Sequence, residues 1–155
     1  MSKIKRVLFV CTGNSCRSIM AEGLLRKKLE ELGRSDIEVS SAGTCAVGGF
    51  VPTAMTVSAM KEEGVDVSGY KTTRLTPDKI YNADLILAME TRHVDAILNL
   101  DPNADGKTYL LRRYARVKNE PGGVEVMDPI GRPLEIYERV LTMIKKSIEE
   151  LVKLL

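Results

Sequence analysis

The chain has 155 residues, with 23 Lys and Arg against 21 Asp and Glu. This length suits one domain over 1–155 with a substantial core, and the formal charge of +2 argues against a nucleic-acid partner. No apolar run approaches the roughly 20 residues that cross a bilayer. The start is basic, but after a short apolar stretch the segment from Cys11 to Ser18 follows at once, which leaves no room for a removable signal. We therefore expect a cytoplasmic protein without a membrane partner.

The predicted elements alternate between strands and helices. Runs of β-branched and aromatic residues mark the strands, and apolar residues at spacings of three and four mark amphipathic helices. In chain order they are a strand at 5–10, a helix at 17–32, a strand at 37–41, a helix at 53–63, a short helix beginning near Thr76, an apolar run at 83–89, a helix at 91–99, a strand at 107–111 and a long helix opened by Pro133. This alternation predicts an α/β fold, a three-layer single domain with a central parallel sheet of about four strands, flavodoxin/Rossmann-like, and helices on both faces.

Three cysteines and one histidine limit the chemistry that the chain can perform. The odd, low cysteine count favours free thiols over a disulfide framework, and Cys45 lies outside any motif. The single histidine, His93, argues against a His-rich metal site, so we expect no metal. We place His93 at a surface or boundary position of its helix and assign it no chemistry.

The segment from Cys11 to Ser18 joins the first predicted strand to the first predicted helix, where ligands of parallel sheets bind. Gly13 and Asn14 tolerate the backbone angles of a tight loop whose amide N–H groups form an anion nest. Arg17 supplies a planar fork of donors suited to phosphate oxygens. Positive helix ends and nearby cations favour the thiolate form of cysteine. The pattern therefore predicts that Cys11 is a nucleophile facing a bound phosphoryl group.

The stretch VLFVCTGNSCRSIMAEGLLR resembles the opening of the low-molecular-weight protein-tyrosine-phosphatases, whose loop reads Cys-x5-Arg-Ser. The likeness covers essentially the whole chain. Further matching segments are Ser41-Ala42-Gly43, 64–68, 83–89 and Asp128-Pro129. The resemblance implies a phosphatase that acts on a phosphorylated protein, releases inorganic phosphate and needs no cofactor.

The resemblance also implies roles for individual residues. Cys11 would attack phosphorus and carry a phosphocysteine intermediate, and Arg17 would bind the phosphate and stabilise the transition state. Asp128 would protonate the leaving group and then activate water. The remaining residues of the phosphate-binding loop are Thr12, Gly13, Asn14, Ser15, Cys16 and Ser18.

Three of the implied roles concern the support and protection of the nucleophile. Ser18 would donate to the thiolate, and Asn14 would hold the loop through hydrogen bonds in a network with Ser41. Cys16 would form a reversible disulfide with Cys11 and so protect it from irreversible oxidation. The alternative for Cys16 is a packed thiol at the start of the first helix.

Several positions depart from the family pattern. Ile19 stands where many members have proline, and Tyr70 stands where many have histidine. Members that prefer phosphotyrosine often carry a bulky apolar residue at the position of Ser15 and aromatic residues after Asp-Pro, where this chain has Ile130. Phe50 could still supply an aromatic wall. We assign substrate specificity to Ser15, Phe50 and Ile130, and we prefer phosphotyrosine as the substrate.

Other functions are weighed against this one. A small hydroxyl residue such as Ser15 resembles the branch that acts on phosphoarginine in proteins, so a protein-arginine phosphatase with the same mechanism is the alternative. An arsenate reductase of this fold passes a disulfide along additional mid-chain cysteines, where this chain has only Cys45. A non-catalytic phosphate-binding module would not require both Cys11 and Asp128.

Overall fold

A parallel sheet lies at the centre of the part of the chain that the computed structural model describes, residues 3–118 and 123–155. Its strands are β1 (Arg6–Cys11), β2 (Glu38–Gly43), β3 (Leu85–Ala88) and β4 (Thr108–Leu110). They lie in the order β2-β1-β3-β4, and each neighbouring pair is parallel. This is the α/β fold with a central parallel sheet that the sequence predicts.

Helices follow and connect the strands. They are α1 (Arg17–Glu31), α2 (Ala54–Glu62), α3 (Pro77–Asn82), α4 (Thr91–Leu100), α5 (Leu111–Tyr114) and α6 (Leu134–Leu151), with short 3₁₀ helices at Pro102–Lys107 and Val152–Leu154. The side chains of Thr53 and Thr76 begin α2 and α3 by accepting a hydrogen bond from a backbone N–H of the first turn, as N-cap residues do. Among the described residues, no helix is long and apolar enough to cross a membrane.

Successive residues of β1 point to opposite sides of the sheet, and each side has its own apolar core. Val7 and Phe9 belong to the larger core, together with side chains of α1, α2 and α6. Leu8 and Val10 belong to the smaller core, together with side chains of α3 and α4. Helices therefore cover both faces, and the three-layer prediction is confirmed.

In the C-terminal part of the chain, the boundaries of several elements differ from the predicted ones. The strand predicted at 107–111 covers only Thr108–Leu110, because its last residue begins α5, a helix too short for apolar spacing to indicate. The long helix ends at Leu151, and a 3₁₀ turn follows it. The 3₁₀ helix Pro102–Lys107 is also absent from the prediction.

The carboxyl ends of β1, β2 and β3 meet at one edge of the sheet. Val10 pairs with Ala42 on one side and with Ala88 on the other, so the loops that follow these strands are neighbours. Gly43 at the end of β2 permits the close approach, since an added Cβ would lie 2.5 Å from the carbonyl oxygen of Thr12. Ligands of parallel sheets bind at such an edge.

Candidate active site

The predicted nucleophile loop makes a tight connection between β1 and α1. Cys11 is the last residue of β1, and α1 begins at Arg17. Between them, Asn14 adopts a left-handed backbone conformation with φ of 54°, which asparagine adopts more readily than most residues. The backbone N–H of Cys45 donates to the carbonyl oxygen of Thr12 at 2.9 Å, so the loop is fastened to the segment that follows β2.

The side chain of Asn14 ties the loop to two other segments. Its Oδ1 accepts from the backbone N–H of Thr73 at 2.7 Å, which fixes the orientation of the amide. Its Nδ2 then donates to Ser18 Oγ at 2.8 Å and to Ser41 Oγ at 2.9 Å. Asn14 is fully buried, and these contacts bring together the residues to which the sequence assigns loop support.

Two hydroxyl groups extend this network in opposite directions. Ser18 Oγ already accepts from Asn14, so its own proton is available to Cys11 Sγ, 2.9 Å away. Ser41 Oγ likewise accepts from Asn14 and donates to Glu22 Oε1 at 2.5 Å. A continuous chain of hydrogen bonds thus links the nucleophile to a buried carboxyl group.

Tyr70, which stands where the resembled family often has histidine, joins this network through an arginine. Arg26 donates to Glu22 Oε2 at 2.7 Å and to the carbonyl oxygen of Val39 at 2.8 Å, and its guanidinium carbon lies 5.5 Å from the centre of the Tyr70 ring. Burial raises the pKa of Glu22, although the hydrogen bond from Ser41 and the charge of Arg26 act against the rise.

Arg17 is only 2% exposed, and acceptors surround its guanidinium group. Its Nη1 donates to the carboxylate of Glu90 and, at 2.8 Å, to the carbonyl oxygen of Val126. Its Nη2 lies 3.4 Å from Thr12 Oγ1 and 3.7 Å from Asp128 Oδ2. Glu90 and Val126 therefore hold the Nη1 side of the guanidinium group, and Nη2 lies on the side of Asp128.

Glu90 supplies the carboxylate that accepts from Arg17 Nη1, a role that the sequence did not predict. Burial alone would raise the pKa of Glu90, but hydrogen bonds from Arg92, at 3.0 Å, and from Arg17 lower it below its ordinary value. No motif marks this residue. The one signal was its position shortly after β3, at the edge of the sheet where the nucleophile lies.

The prediction that His93 lies at a surface or boundary position is wrong. The side chain is 1% exposed, because the first turn of α4 packs against the nucleophile loop. Nε2 lies 2.7 Å from Thr12 Oγ1, and Nδ1 accepts from the backbone N–H of Glu90 at 3.1 Å. Burial, followed by the positive charge of Arg17, lowers the pKa of His93 from 6.5 to about 4, so the ring is neutral at neutral pH.

Asp128 lies at the mouth of the loop and is 36% exposed. Its Oδ1 accepts from the backbone N–H of Ile130 at 3.0 Å, as in an Asx turn. This contact orients the carboxyl group while its Oδ2 faces Arg17. The structure thus brings Cys11, Arg17 and Asp128 to one place, although Asp128 is more than a hundred positions away in the sequence.

The three residues assigned to specificity are less constrained. Ser15 is half-buried, and its carbonyl oxygen accepts from the backbone N–H of Thr53 at 3.1 Å. Phe50 is 63% exposed and Ile130 is 50% exposed. The backbone of Phe50 is fixed to Thr72, whose hydroxyl accepts from the N–H of Phe50 at 2.9 Å. These apolar side chains therefore lie open to solvent beside a fixed backbone.

The three cysteines are free thiols in different environments. Cys16 is buried, and desolvation raises its pKa to about 12, although a hydrogen bond with Thr56 lowers it. The charge of Cys11 adds to the rise. Cys45 is exposed. Within residues 3–118 and 123–155, no group of three or more His, Cys, Asp or Glu side chains is arranged to hold a metal ion.

Comparisons with known proteins agree with this geometry. The sequence model of the family "Low molecular weight phosphotyrosine protein phosphatase" matches residues 6–155. The chain is 33% identical over 151 residues to the low molecular weight protein-tyrosine-phosphatase Etp of Escherichia coli, covering 97% of this chain and 95% of the relative. It is 34% identical over 148 residues to the protein-arginine-phosphatase of Geobacillus stearothermophilus, covering 96% and 94%.

Among solved structures, the low molecular weight protein tyrosine phosphatase from T. tengcongensis superimposes with a TM-score of 0.89. The two sequences are 36% identical, and the match covers 97% of this chain and 99% of that one. Agreement of fold and sequence over almost the full length of both proteins excludes a likeness limited to the loop.

Proposed function

This chain belongs to the low molecular weight phosphotyrosine protein phosphatase family, and on that basis we propose that Cys11, Arg17 and Asp128 hydrolyse a phosphorylated protein in two steps. The observation that carries the proposal is the meeting of these three residues at one edge of the sheet. The thiol of Cys11 receives a hydrogen bond from Ser18, and Arg17 Nη2 lies 3.7 Å from Asp128 Oδ2.

In the first step, the thiolate of Cys11 attacks phosphorus. The new S–P bond forms as the bond from phosphorus to the leaving oxygen breaks, and Asp128 gives that oxygen its proton. Arg17 and the backbone N–H groups of the loop stabilise the negative charge that spreads over the phosphoryl oxygens in the transition state. The dephosphorylated protein leaves, and Cys11 carries a phosphocysteine.

In the second step, water replaces the thiolate. Asp128, now a carboxylate, takes a proton from a water molecule whose oxygen attacks phosphorus. The S–P bond breaks, inorganic phosphate forms, and the electron pair returns to the sulfur of Cys11. The proton from Ser18 stabilises the departing thiolate, since a hydrogen bond to the charged form favours it.

Replacement of the nucleophile tests this mechanism. We expect Cys11→Ser to lose more than about 10⁴-fold in turnover of an aryl phosphate, as enzymes do without their nucleophile, yet to retain phosphate binding. Cys45→Ser, a change of the same kind at an exposed thiol, is the matched control and should keep full activity. Turnover by Cys11→Ser close to that of the control would exclude covalent catalysis at Cys11.

For the substrate, we propose phosphotyrosine in proteins. An aromatic ring gains binding from apolar walls, and Phe50 and Ile130 are exposed apolar side chains available for that contact. Phosphoarginine is the second candidate, because Ser15 is small and half-buried and because one relative, at 34% identity, is named a protein-arginine-phosphatase.

Turnover of phosphotyrosine and phosphoarginine peptides of one sequence separates these candidates. We expect Ser15→Ile to raise the ratio of kcat/KM for phosphotyrosine over phosphoarginine, since an added methyl-rich wall favours the ring. Ser15→Thr, which retains a small hydroxyl residue, is the control and should leave the ratio near that of the natural protein. An unchanged ratio in Ser15→Ile would show that this position does not select the substrate.

We further propose that Cys16 protects the nucleophile in a cytoplasmic enzyme. A peroxide would oxidise the thiolate of Cys11 to a sulfenic acid, with cleavage of the O–O bond. The thiolate of Cys16 would then attack that sulfur, expel hydroxide and form a disulfide, which a cellular dithiol reduces by exchange. Because Cys16 has a pKa of about 12, closure should accelerate as the pH rises. Free thiols at all three cysteines suit a reducing compartment.

Inactivation by hydrogen peroxide tests the protective role. After brief oxidation, dithiothreitol should restore most of the activity of the natural protein and much less of the activity of Cys16→Ser, whose Cys11 proceeds to irreversible acids. Equal recovery in both proteins would contradict protection by Cys16.

A further inference from the structure

His93 is the single histidine of the sequence, and both of its ring nitrogens are engaged inside the protein. The backbone N–H of Glu90 can only donate, so Nδ1, 3.1 Å away, must be the unprotonated nitrogen. The proton of the neutral ring then lies on Nε2, which donates to Thr12 Oγ1 at 2.7 Å. The contacts of the ring thus define its tautomer.

This tautomer determines what the hydroxyl group of Thr12 can do. Thr12 Oγ1 accepts from His93 Nε2 and lies within 3.4 Å of the donor Nη2 of Arg17. With its oxygen used as an acceptor from both, the hydroxyl has its own proton left to donate. Arg17 Nη2 also faces Asp128 Oδ2 at 3.7 Å. The Thr12 hydroxyl group therefore lies on the side of the loop where Arg17 Nη2 and Asp128 Oδ2 approach each other.

The first turn of α4 holds the nucleophile loop at two points. His93 holds Thr12, the residue after the nucleophile, and Glu90 holds Arg17, the residue that closes the loop. Both contacts come from residues three positions apart on one helix end, joined by the hydrogen bond from the Glu90 backbone to the His93 ring. A buried side chain with both nitrogens bonded has little freedom to turn, so its partner is also fixed.

We propose that His93 is a positioning residue for the phosphatase reaction, whose Nε2–H orients the Thr12 hydroxyl so that this hydroxyl donates to a phosphoryl oxygen beside Arg17. The proposal rests on the proposed function, in which the loop binds the phosphoryl group. It adds a side-chain donor to the backbone N–H groups and the guanidinium, and it assigns the control of that donor to a residue outside the loop.

The buried position of the ring adds a condition. The groups that face His93 are Arg17, Glu90, Arg92 and Asp128. Protonation of Nδ1 would place two donors, the ring N–H and the Glu90 backbone N–H, against each other. The arrangement therefore functions only with the neutral ring, and it persists at neutral pH because burial and the charge of Arg17 hold the pKa of His93 at about 4.

A double-mutant cycle tests whether His93 acts through Thr12. The probes are inorganic phosphate, measured as a competitive inhibitor, and kcat/KM for an aryl phosphate. We expect His93→Leu and Thr12→Val each to weaken phosphate inhibition and kcat/KM by about 10-fold, the size of one hydrogen bond to a charged group. The double variant should lose no more than either single variant, because both remove the same donor.

Conservative variants separate positioning from structural support. Thr12→Ser keeps the hydroxyl and should stay within about 3-fold of the natural protein, a small part of one hydrogen bond. His93→Gln keeps an amide N–H on a side chain of similar reach and should recover part of the loss seen in His93→Leu. Full additivity of His93→Leu and Thr12→Val would overturn the proposal, since independent losses mean that the histidine does not act through the hydroxyl.

Further outcomes distinguish this proposal from the proposed function. If Thr12→Val binds inorganic phosphate as the natural protein does, the hydroxyl is no donor and the proposal is overturned, even where His93→Leu fails to fold. That result leaves the two-step mechanism intact as long as Cys11→Ser remains inactive. Full turnover by Cys11→Ser would instead remove the mechanism on which the proposal rests.

Discussion

The framework behind the nucleophile and the rim in front of it are built differently. Behind Cys11, the side chains of Asn14, Ser18 and Ser41 are buried and bonded to one another. The rim denotes Phe50 and Ile130, the apolar residues proposed to contact the substrate, and both are half or more exposed. Buried polar groups must be paired, so each framework residue depends on its neighbours, whereas an exposed apolar side chain can be exchanged at little cost. The proposed reaction chemistry is thus tied to the fold, whereas the proposed substrate contacts are not.

Asp128 lies between these regions, and after that of Cys11 its replacement should lower kcat the most. Asp128→Asn keeps an oxygen that can accept from the N–H of Ile130, so the loop should stay folded while the proton donor is lost. We expect kcat to fall about 10²–10⁴-fold without a change in Tm. Asp105→Asn, at an exposed aspartate of the 3₁₀ helix Pro102–Lys107, is the control. A smaller fall in kcat would mean that Asp128, like the rim residues, takes no part in the chemical steps.

Replacement of Asn14 should be the severest test of the framework. Asn14→Ala leaves Ser18, Ser41 and the backbone N–H of Thr73 without their partner, and it places alanine at a φ of 54°. We expect the free energy of unfolding to fall by about 4 kcal/mol, since each unpaired buried group costs about 1–3 kcal/mol. Urea denaturation measures the change.

Asn14→Gly is the matched variant, because glycine accepts the left-handed backbone but makes no side-chain hydrogen bonds. It should be about 1 kcal/mol more stable than Asn14→Ala, the strain that a Cβ adds in that conformation. Equal stability of the two variants would mean that the backbone conformation contributes nothing, and the framework would then rest on hydrogen bonds alone.

Acid should weaken the framework through His93. The pKa of His93 is about 4 in the folded protein against 6.5 for the ordinary side chain. Between these pH values the unfolded state binds more protons, so the free energy of unfolding decreases as the pH is lowered. The fall begins near pH 6.5, ends near pH 4 and amounts to at most about 3 kcal/mol. Other groups titrate in this range, so the difference between the natural protein and His93→Gln isolates the histidine. Parallel stability curves for the two proteins would contradict this assignment.

The smallest effect is expected at the rim. Phe50→Ala removes an exposed ring whose backbone is held independently by Thr72. We expect about a 2–5-fold rise in KM for a phosphotyrosine peptide, consistent with the loss of a partial aromatic contact, and no change in kcat or Tm. Tyr81→Ala, at an aromatic residue of α3 that is 78% exposed, should change neither constant. A fall in kcat or in Tm for Phe50→Ala would show that Phe50 supports the reaction or the fold, as the framework residues do.

Local patterns in the sequence suffice to predict the alternation of strands and helices and the position of the nucleophile loop. Those features depend on local information: the side-chain periodicity of each element, the N-cap residues Thr53 and Thr76, and the close spacing of Cys11 and Arg17. Local rules failed at α5, a four-residue helix, because so short a segment carries no periodic signal.

The residues that surround Arg17 follow from tertiary packing, which no local pattern predicts. Glu90 and Val126 meet Arg17 across separations of 73 and 109 residues, and His93 meets Thr12 across 81. No spacing rule covers such pairs. They form because β1 and β3 are parallel neighbours whose carboxyl ends share an edge, so the start of α4 comes to lie against the nucleophile loop. Burial there turned a histidine without an assigned role into part of the site.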